Sequence, residues 1–129
     1  MQKIPVMING LPGNVAKIIA AAALKDDRFT LMPFSLTGQD IPDPSCELTA
    51  DSEVELIRPD TRDEKIKTIK QEYPFFISID YTHPTAVNSN ARFYIDHRLP
   101  FVMGTTGGDR EALDKDVRGS GLYAVISPN

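Results

Sequence analysis

Val6-Met7-Ile8-Asn9-Gly10-Leu11-Pro12-Gly13-Asn14-Val15-Ala16 is the stretch that decides the fold. Its first residues are apolar enough for a buried strand, its glycines punctuate a turn, and Asn14 opens an alanine-rich helical run to Lys25. Gly10, Gly13 and Ala16 give a Gly-x-x-Gly-x-x-Ala spacing, which lets the backbone turn sharply and the helix pack closely on its strand. The unsatisfied N–H groups and the positive end of the macrodipole at such a helix start suit a pyrophosphate. The alternative is a tight strand-to-helix turn that carries no ligand.

Outward from this turn, Lys3 to Ile8 reads as the first strand, and the helix turns Ile18, Ile19, Ala22 and Ala23 towards the sheet. Phe29 to Ser35 alternates as a second strand and runs into Ser35-Leu36-Thr37-Gly38. In dinucleotide-binding folds the tip of the second strand meets the adenosine ribose, where an acidic residue holds the 2′-hydroxyl of NAD. Ser35 and Thr37 stand there instead. Hydroxyls donate to a 2′-phosphate and do not repel it, so NADP is permitted, although no arginine sits beside them. Cys46 to Thr49 and Glu53 to Arg58 read as a hairpin turned at Ala50-Asp51-Ser52, with no functional assignment. Thr61-Arg62-Asp63-Glu64 has the form of a capping box, which predicts a helix from Arg62 to Glu72 with Ile66 and Ile69 inward and its charges on a solvated face.

Phe75 to Asp80 is a nearly continuous apolar strand ending in Asp80-Tyr81-Thr82-His83-Pro84. A helix from Pro84 to about Arg98 follows, with Ala86, Val87, Ala91 and Ile95 for packing and His97 in its last turn. Leu99 to Met103 is another strand, and it leads into Gly104-Thr105-Thr106-Gly107-Gly108. Asp109 is the expected N-cap of a helix through Arg118 that ends at Gly119, and Tyr123 to Ser127 is the final strand.

The 129 residues suffice for one domain, and the net charge of −4 without a basic run argues against a nucleic-acid surface. A single cysteine, Cys46, excludes an internal disulfide and a cysteine-rich zinc site and fits a reducing compartment. No apolar run approaches the length of a membrane span, and Met1-Gln2-Lys3 leads straight into a strand, so neither a membrane nor a targeting peptide is expected. Strands alternating with helices predict an α/β fold, a doubly wound, mostly parallel sheet with helices on both faces. Such sheets bind ligands at the carboxyl ends of their strands, where Gly10 to Gly13, Asp80 to Pro84 and Gly104 to Gly108 all fall. The third segment, two threonines framed by glycines, can approach a flat heterocycle and bond a carboxamide or ribose; otherwise it is an ordinary loop into a helix. Asp80 either ties down the loop after it or contacts ligand. His83 has no second titratable group placed to work with it, which favours a structural or exposed role.

These residues resemble a family, dihydrodipicolinate reductase, the 4-hydroxy-tetrahydrodipicolinate reductase of lysine biosynthesis, in particular its plant-type branch. The resemblance rests on Gly10 and Gly13, on Asp80-Tyr81-Thr82-His83-Pro84 with Ala86-Val87-Asn88, on Leu99-Pro100-Phe101-Val102-Met103-Gly104-Thr105-Thr106-Gly107-Gly108-Asp109, and on Tyr123-Ala124-Val125-Ile126-Ser127-Pro128-Asn129. It implies a Rossmann-like domain of an oxidoreductase that passes hydride from NADPH or NADH to a cyclic imine dicarboxylate. Carried over by position, Gly10, Leu11, Pro12 and Gly13 would cradle the pyrophosphate, and Ser35 and Thr37 would lie near the adenosine ribose. Tyr81 and Thr82 would flank the cofactor, Gly104, Thr105 and Thr106 would meet its nicotinamide side, and Ser127, Pro128 and Asn129 would close over the ring.

Two departures qualify the resemblance. Asn14, Val15 and Ala16 replace the family's basic residue, Met and Gly, which predicts weaker phosphate binding. The family's His-His motif, catalytic lysine and Ser-Gly-Thr substrate loop belong to a second domain after the last strand, and nothing after Asn129 supplies them. Residues 1–129 are therefore expected to form a cofactor domain without catalytic residues or metal ligands, inactive alone. In the family the C-terminal segment also returns to cover this domain, so exposed apolar surface and a homo-oligomer are expected. The resemblance places it in the cytoplasm, or in the chloroplast stroma if the chain is a plant-type member freed of its transit peptide. A second reading is a non-catalytic Rossmann-fold interaction module that has lost the reductase chemistry. A third, the nucleotide domain of another two-domain dehydrogenase, fits the Gly104 to Asp109 run less well.

Overall fold

The computed structural model describes residues 2–105 and 107–127. Strand β1 (Ile4–Asn9) leads through the glycine turn into α1 (Asn14–Lys25), the helix the sequence predicts. The expected second strand is two, β2 (Phe29–Leu31) and β3 (Phe34–Leu36). The break falls at Met32-Pro33 because proline has no N–H for a neighbouring strand. β2 pairs in parallel with β1, Ile4 opposite Phe29. β3 instead pairs in parallel with β5 (Ser52–Ile57), Leu36 opposite Ile57, and β5 forms the predicted antiparallel hairpin with β4 (Ser45–Thr49). After α2 (Arg62–Glu72) come β6 (Ile77–Asp80), a 3-10 turn (Pro84–Ala86), α3 (Val87–Asp96), β7 (Phe101–Met103), α4 (Arg110–Ser120) and β8 (Ala124–Ile126).

Five strands form a fully parallel sheet in the order β2-β1-β6-β7-β8, and β3-β5-β4 form a second. The two join at the broken strand: Met32 donates to Val6 O at 2.9 Å, Gly10 N to Leu36 O at 2.9 Å, and Glu55 N to Pro33 O at 2.9 Å. The chain thus steps outward from β1 through β2 and β3 to β5, then crosses back over β1 to β6. Strand order reverses between β1 and β6, and a crevice opens at the carboxyl ends of strands at such a reversal.

Alternation along β1 splits the core between the two faces. Val6 and Ile8 pack with Ala16, Ala20 and Ala23 of α1, whereas Met7 packs with Ile66 and Ile69 of α2, Val87, Ala91 and Tyr94 of α3, and Leu113 of α4. Each fully buried aliphatic side chain contributes about 1.5–3 kcal/mol. The predicted stripe on α1 holds in part: Ala23 is buried and Ile19 packs against the same cluster, but Ala22 is exposed and Ile18 is 69% exposed. The turn sets Ala16 on the sheet directly, which carries Ala20 and Ala23 with it and leaves Ile18 about 200° round the helix. Only small side chains fit so close an approach.

Three end signals also differ. Thr61 has a helical ψ of −5°, so its hydroxyl caps no amide of α2 and lies 3.5 Å from Arg58 O. The helix predicted from Pro84 starts as a 3-10 turn and ends at Asp96. α4 runs through Gly119 and stops at Gly121, whose φ of +69° is the left-handed conformation a helix end needs. Asp109 caps α4 as predicted, accepting from Ala112 N at 3.1 Å.

Candidate functional site

The turn after β1 is built around contacts that admit no side chain. Gly10 has φ +118°, and a Cβ there would lie 2.1 Å from Tyr81 O, so the ends of β1 and β6 touch through bare backbone. A Cβ on Gly13 would lie 2.9 Å from Gly10 O, to which Gly13 N donates at 2.8 Å. Leu11 is buried, the Leu11-Pro12 bond is cis, and α1 begins at Asn14 with no side-chain cap. Its first amides and positive dipole end therefore stand at the rim of a cleft of about 820 Å³. Gly10, Gly13, Thr37, Arg62, Tyr81 and Thr82 line that cleft.

Beneath the cleft lies a hydrogen-bonded knot centred on Asp80, whose side chain is fully buried. Its Oδ1 accepts from Thr82 N at 3.2 Å, Thr82 Oγ1 at 2.8 Å and Thr105 Oγ1 at 2.8 Å. Its Oδ2 accepts from Asn90 Nδ2 at 3.1 Å and Tyr94 Oη at 2.5 Å. The described ion pairs do not include Asp80, so converging donors, not a cation, hold the carboxylate. Tyr94 Oη in turn accepts from Asn9 Nδ2 at 2.9 Å, and Asn9 Oδ1 accepts from Leu36 N at 2.8 Å. Burial, reinforced by the Asp80 charge, pushes the Tyr94 hydroxyl well above its ordinary range, so it stays a donor. Arg62 Nη1 donates to Asn90 Oδ1 at 2.6 Å, tying α2 into the same knot. Of the two readings open for Asp80, the structure selects the one in which it ties down the loop.

The other predicted residues separate into two groups. Gly10, Leu11, Pro12, Gly13, Thr37, Tyr81 and Thr82 line the cleft together. Ser35 does not: it is fully buried, and its Oγ accepts from Leu11 N at 3.3 Å, so it props the glycine turn from below and has no face for a ribose. Thr105 is likewise turned inward, accepting from Thr82 N at 2.8 Å and donating to Asp80. Gly104 is a glycine because the Tyr81 ring fills the space beside it; a Cβ would sit 2.1 Å from Tyr81 Cζ. Gly108 presses on α3, where Asn88 Oδ1 accepts from Asp109 N at 2.7 Å. The threonine-glycine loop is thus spent largely on packing. Ser127 N donates to Met103 O at 2.9 Å at the end of β8, and Thr106, Pro128 and Asn129 lie outside the described residues. His83 accepts from Thr85 N at 3.2 Å, capping the 3-10 turn, which is the structural role expected of it.

Four residues at the site escape a reading by motif. Asn9 ends an apolar strand, Asn90 and Tyr94 sit one helical turn apart on the buried side of α3, and Arg62 opens a helix that looks solvated. A buried asparagine four residues before a tyrosine was the available signal.

Residues 4–129 match the family profile described as Dihydrodipicolinate reductase, N-terminus. The chain belongs to that family. The N-terminal domain of dihydrodipicolinate reductase is a Rossmann-like, NAD(P)-binding domain, in agreement with the mostly parallel sheet and the strand-order reversal. The chain is 40% identical over 124 residues to the probable 4-hydroxy-tetrahydrodipicolinate reductase 1, chloroplastic, of Oryza sativa subsp. japonica, covering 96% of this chain and 36% of that protein. It is 38% identical over 125 residues to 4-hydroxy-tetrahydrodipicolinate reductase 2, chloroplastic, of Arabidopsis thaliana, covering 97% and 35%. A 4-hydroxy-tetrahydrodipicolinate reductase of Coxiella burnetii is 29% identical over 130 residues, covering 98% and 44%. The chain spans about a third of the length of its plant relatives. No described helix is long and apolar enough to cross a membrane.

Proposed function

We propose that this chain binds a nicotinamide dinucleotide, NADPH or NADH, as the cofactor portion of a 4-hydroxy-tetrahydrodipicolinate reductase. The observation that carries this reading is the uncapped start of α1 behind Gly10 and Gly13, placed in a cleft where strand order reverses. The residues fit the group. Glycines leave the backbone bare, α1 offers amides to a pyrophosphate, and the Thr37 hydroxyl has no protein partner among the described residues. Gly10, Leu11, Pro12 and Gly13 hold the pyrophosphate, Thr37 faces the adenosine ribose, and Tyr81 and Thr82 flank the cofactor. Gly104, Thr106, Ser127, Pro128 and Asn129 remain assigned to the nicotinamide side. Ser35 and Thr105 act on these contacts from beneath.

When bound, the reduced nicotinamide supplies hydride for a cyclic imine dicarboxylate. The chain's own contribution is to bind and orient the dinucleotide on a floor fixed by Asp80. Among the titratable side chains that line the cleft, His83 is engaged with Thr85 and Arg62 with Asn90, the Tyr81 ring packs on Gly104, and Asp40 is exposed. In this reading the chain by itself binds the dinucleotide without turnover. Calorimetric titration with NADPH and NADH tests this: saturable micromolar binding, abolished by Gly13→Asp, is expected. Absence of binding of either at millimolar concentration refutes it and favours the non-catalytic interaction module.

A further inference from the structure

Arg62 is the one arginine or lysine among the described residues that line the cleft. It is half-buried and held from several sides: Nη1 donates to Asn90 Oδ1 at 2.6 Å, Nη2 to Ser89 O at 3.4 Å, and the guanidinium lies 4.5 Å over the centre of the Phe93 ring. Every one of these partners is neutral. The described ion pairs join Arg28 to Asp26, Lys65 to Glu55, Arg92 to Asp116 and His97 to Asp63, and leave Arg62 without a carboxylate. Burial works against its charge and lowers its pKa, with Tyr94, Asp63 and Asp80 only partly offsetting it from a distance. A partly desolvated cation, fixed in orientation at the cleft and in no described ion pair, is an anion receptor awaiting its ligand.

Its position says which anion. Thr37 N donates to Ile57 O at 2.9 Å, so the carboxyl ends of β3 and β5 lie side by side, and the chain runs from β5 through Pro59 directly into Arg62. Thr37, Gly38, Pro59 and Arg62 all line the cleft. In this fold the adenosine ribose lies at the tip of the second strand, where a carboxylate reads a free 2′-hydroxyl and an arginine accommodates a 2′-phosphate. Thr37 occupies the tip, and its hydroxyl has no described partner. The pyrophosphate needs no such arginine, because the start of α1 receives it at the other side of β1. Asp40, exposed and also lining the cleft, is the opposing charge.

We propose that Arg62, with Thr37, forms a receptor for a phosphate on the adenosine 2′-oxygen and makes this cleft selective for NADPH over NADH. The inference rests on the cleft being the dinucleotide site. It supplies, from a different strand end, the arginine that is missing beside Thr37 in sequence.

Calorimetry of the whole chain with NADPH, NADH and 2′,5′-ADP tests it. The wild type binds NADPH at least about tenfold more tightly than NADH, as a charge-assisted contact to phosphate requires. Arg62→Gln, which keeps a donor for Asn90, weakens NADPH and 2′,5′-ADP by about ten- to thirtyfold and changes NADH by less than about twofold. Thr37→Val, which leaves the Asn90 contact intact, weakens NADPH by about threefold and NADH by less, while Asp40→Asn strengthens NADPH. Equal affinity of the wild type for the two dinucleotides overturns the inference and leaves the dinucleotide site standing. So does an Arg62→Gln variant that weakens both alike, since that marks a purely structural arginine. Binding of neither dinucleotide overturns this inference and the reading beneath it.

Discussion

Tyr94→Phe removes one oxygen from the interior and should cost far more than its size suggests. The hydroxyl is fully buried, donates to Asp80 Oδ2 at 2.5 Å and accepts from Asn9 Nδ2 at 2.9 Å. Its loss takes one of the donors that hold the Asp80 carboxylate, an interaction with a charged group worth about 1.5–3 kcal/mol. It also strands the Asn9 amide in a site without water, at about 1–3 kcal/mol, while phenylalanine keeps the ring packing against Phe101. Because neighbours relax in part, we expect a net loss of about 2–4 kcal/mol. Domains of this kind are stable by about 5–15 kcal/mol, so the variant still folds at room temperature and can be measured. Urea unfolding followed by circular dichroism is the assay, with the midpoint falling and the m value unchanged. Dinucleotide affinity should fall as well, since Asp80 holds Thr82 in the cleft wall. A loss below about 0.5 kcal/mol, the scale of an inconsequential surface change, would refute the reasoning.

Ser78→Ala is the matched opposite: Ser78 Oγ is buried with no partner, so its removal should be neutral or stabilising in the same urea assay. Gly10→Ala forces a Cβ to within 2.1 Å of a backbone oxygen at φ +118° and should cost at least about 3 kcal/mol together with dinucleotide binding, read by melting and calorimetry. Hydrogen bonds from the Arg28 side chain and amide pull the Asp26 carboxyl from 3.8 down to about 2. The folded value lies below the unfolded one, so this contact adds stability above pH 3.8 that is lost as pH falls through 2; carboxyl NMR of Arg28→Gln should show the midpoint rising towards 3.8. Val125 on the edge strand β8 is 63% exposed and Tyr123 just before it 88%, so we expect concentration-dependent self-association in sedimentation experiments, reduced by Val125→Lys.

What could be read without coordinates was whatever depends on neighbours in sequence. The Gly10-Gly13 turn, helix α1 to the residue, the β4-β5 hairpin and the Asp109 cap all follow from short-range rules. Ser35 and Thr105 could not be read, because a hydroxyl at a strand tip looks the same whether it faces a ligand or the floor; only Leu11 N and Asp80, brought close by the fold, decide. Arg62 shows the reverse case. Its place in one cleft with Thr37 depends on β3 leaving the main sheet at Pro33 to pair with β5, a long-range choice invisible in the local alternation. Gly104 misled for a third reason: a glycine that admits a ligand and one that admits a tyrosine ring leave the same mark in sequence.

The amide protons of Leu36 and Thr82 are held by side-chain oxygens, Asn9 for the first and Thr105 with Asp80 for the second, instead of by a neighbouring strand. An amide bonded to a strand exchanges with solvent only when the sheet opens, whereas these two can exchange on local rearrangement of the side chains that hold them. They are therefore clocks for the floor of the cleft, running on local motion while the rest of the sheet reports global unfolding. A dinucleotide that presses Thr37 and Thr82 into place should slow these two clocks first.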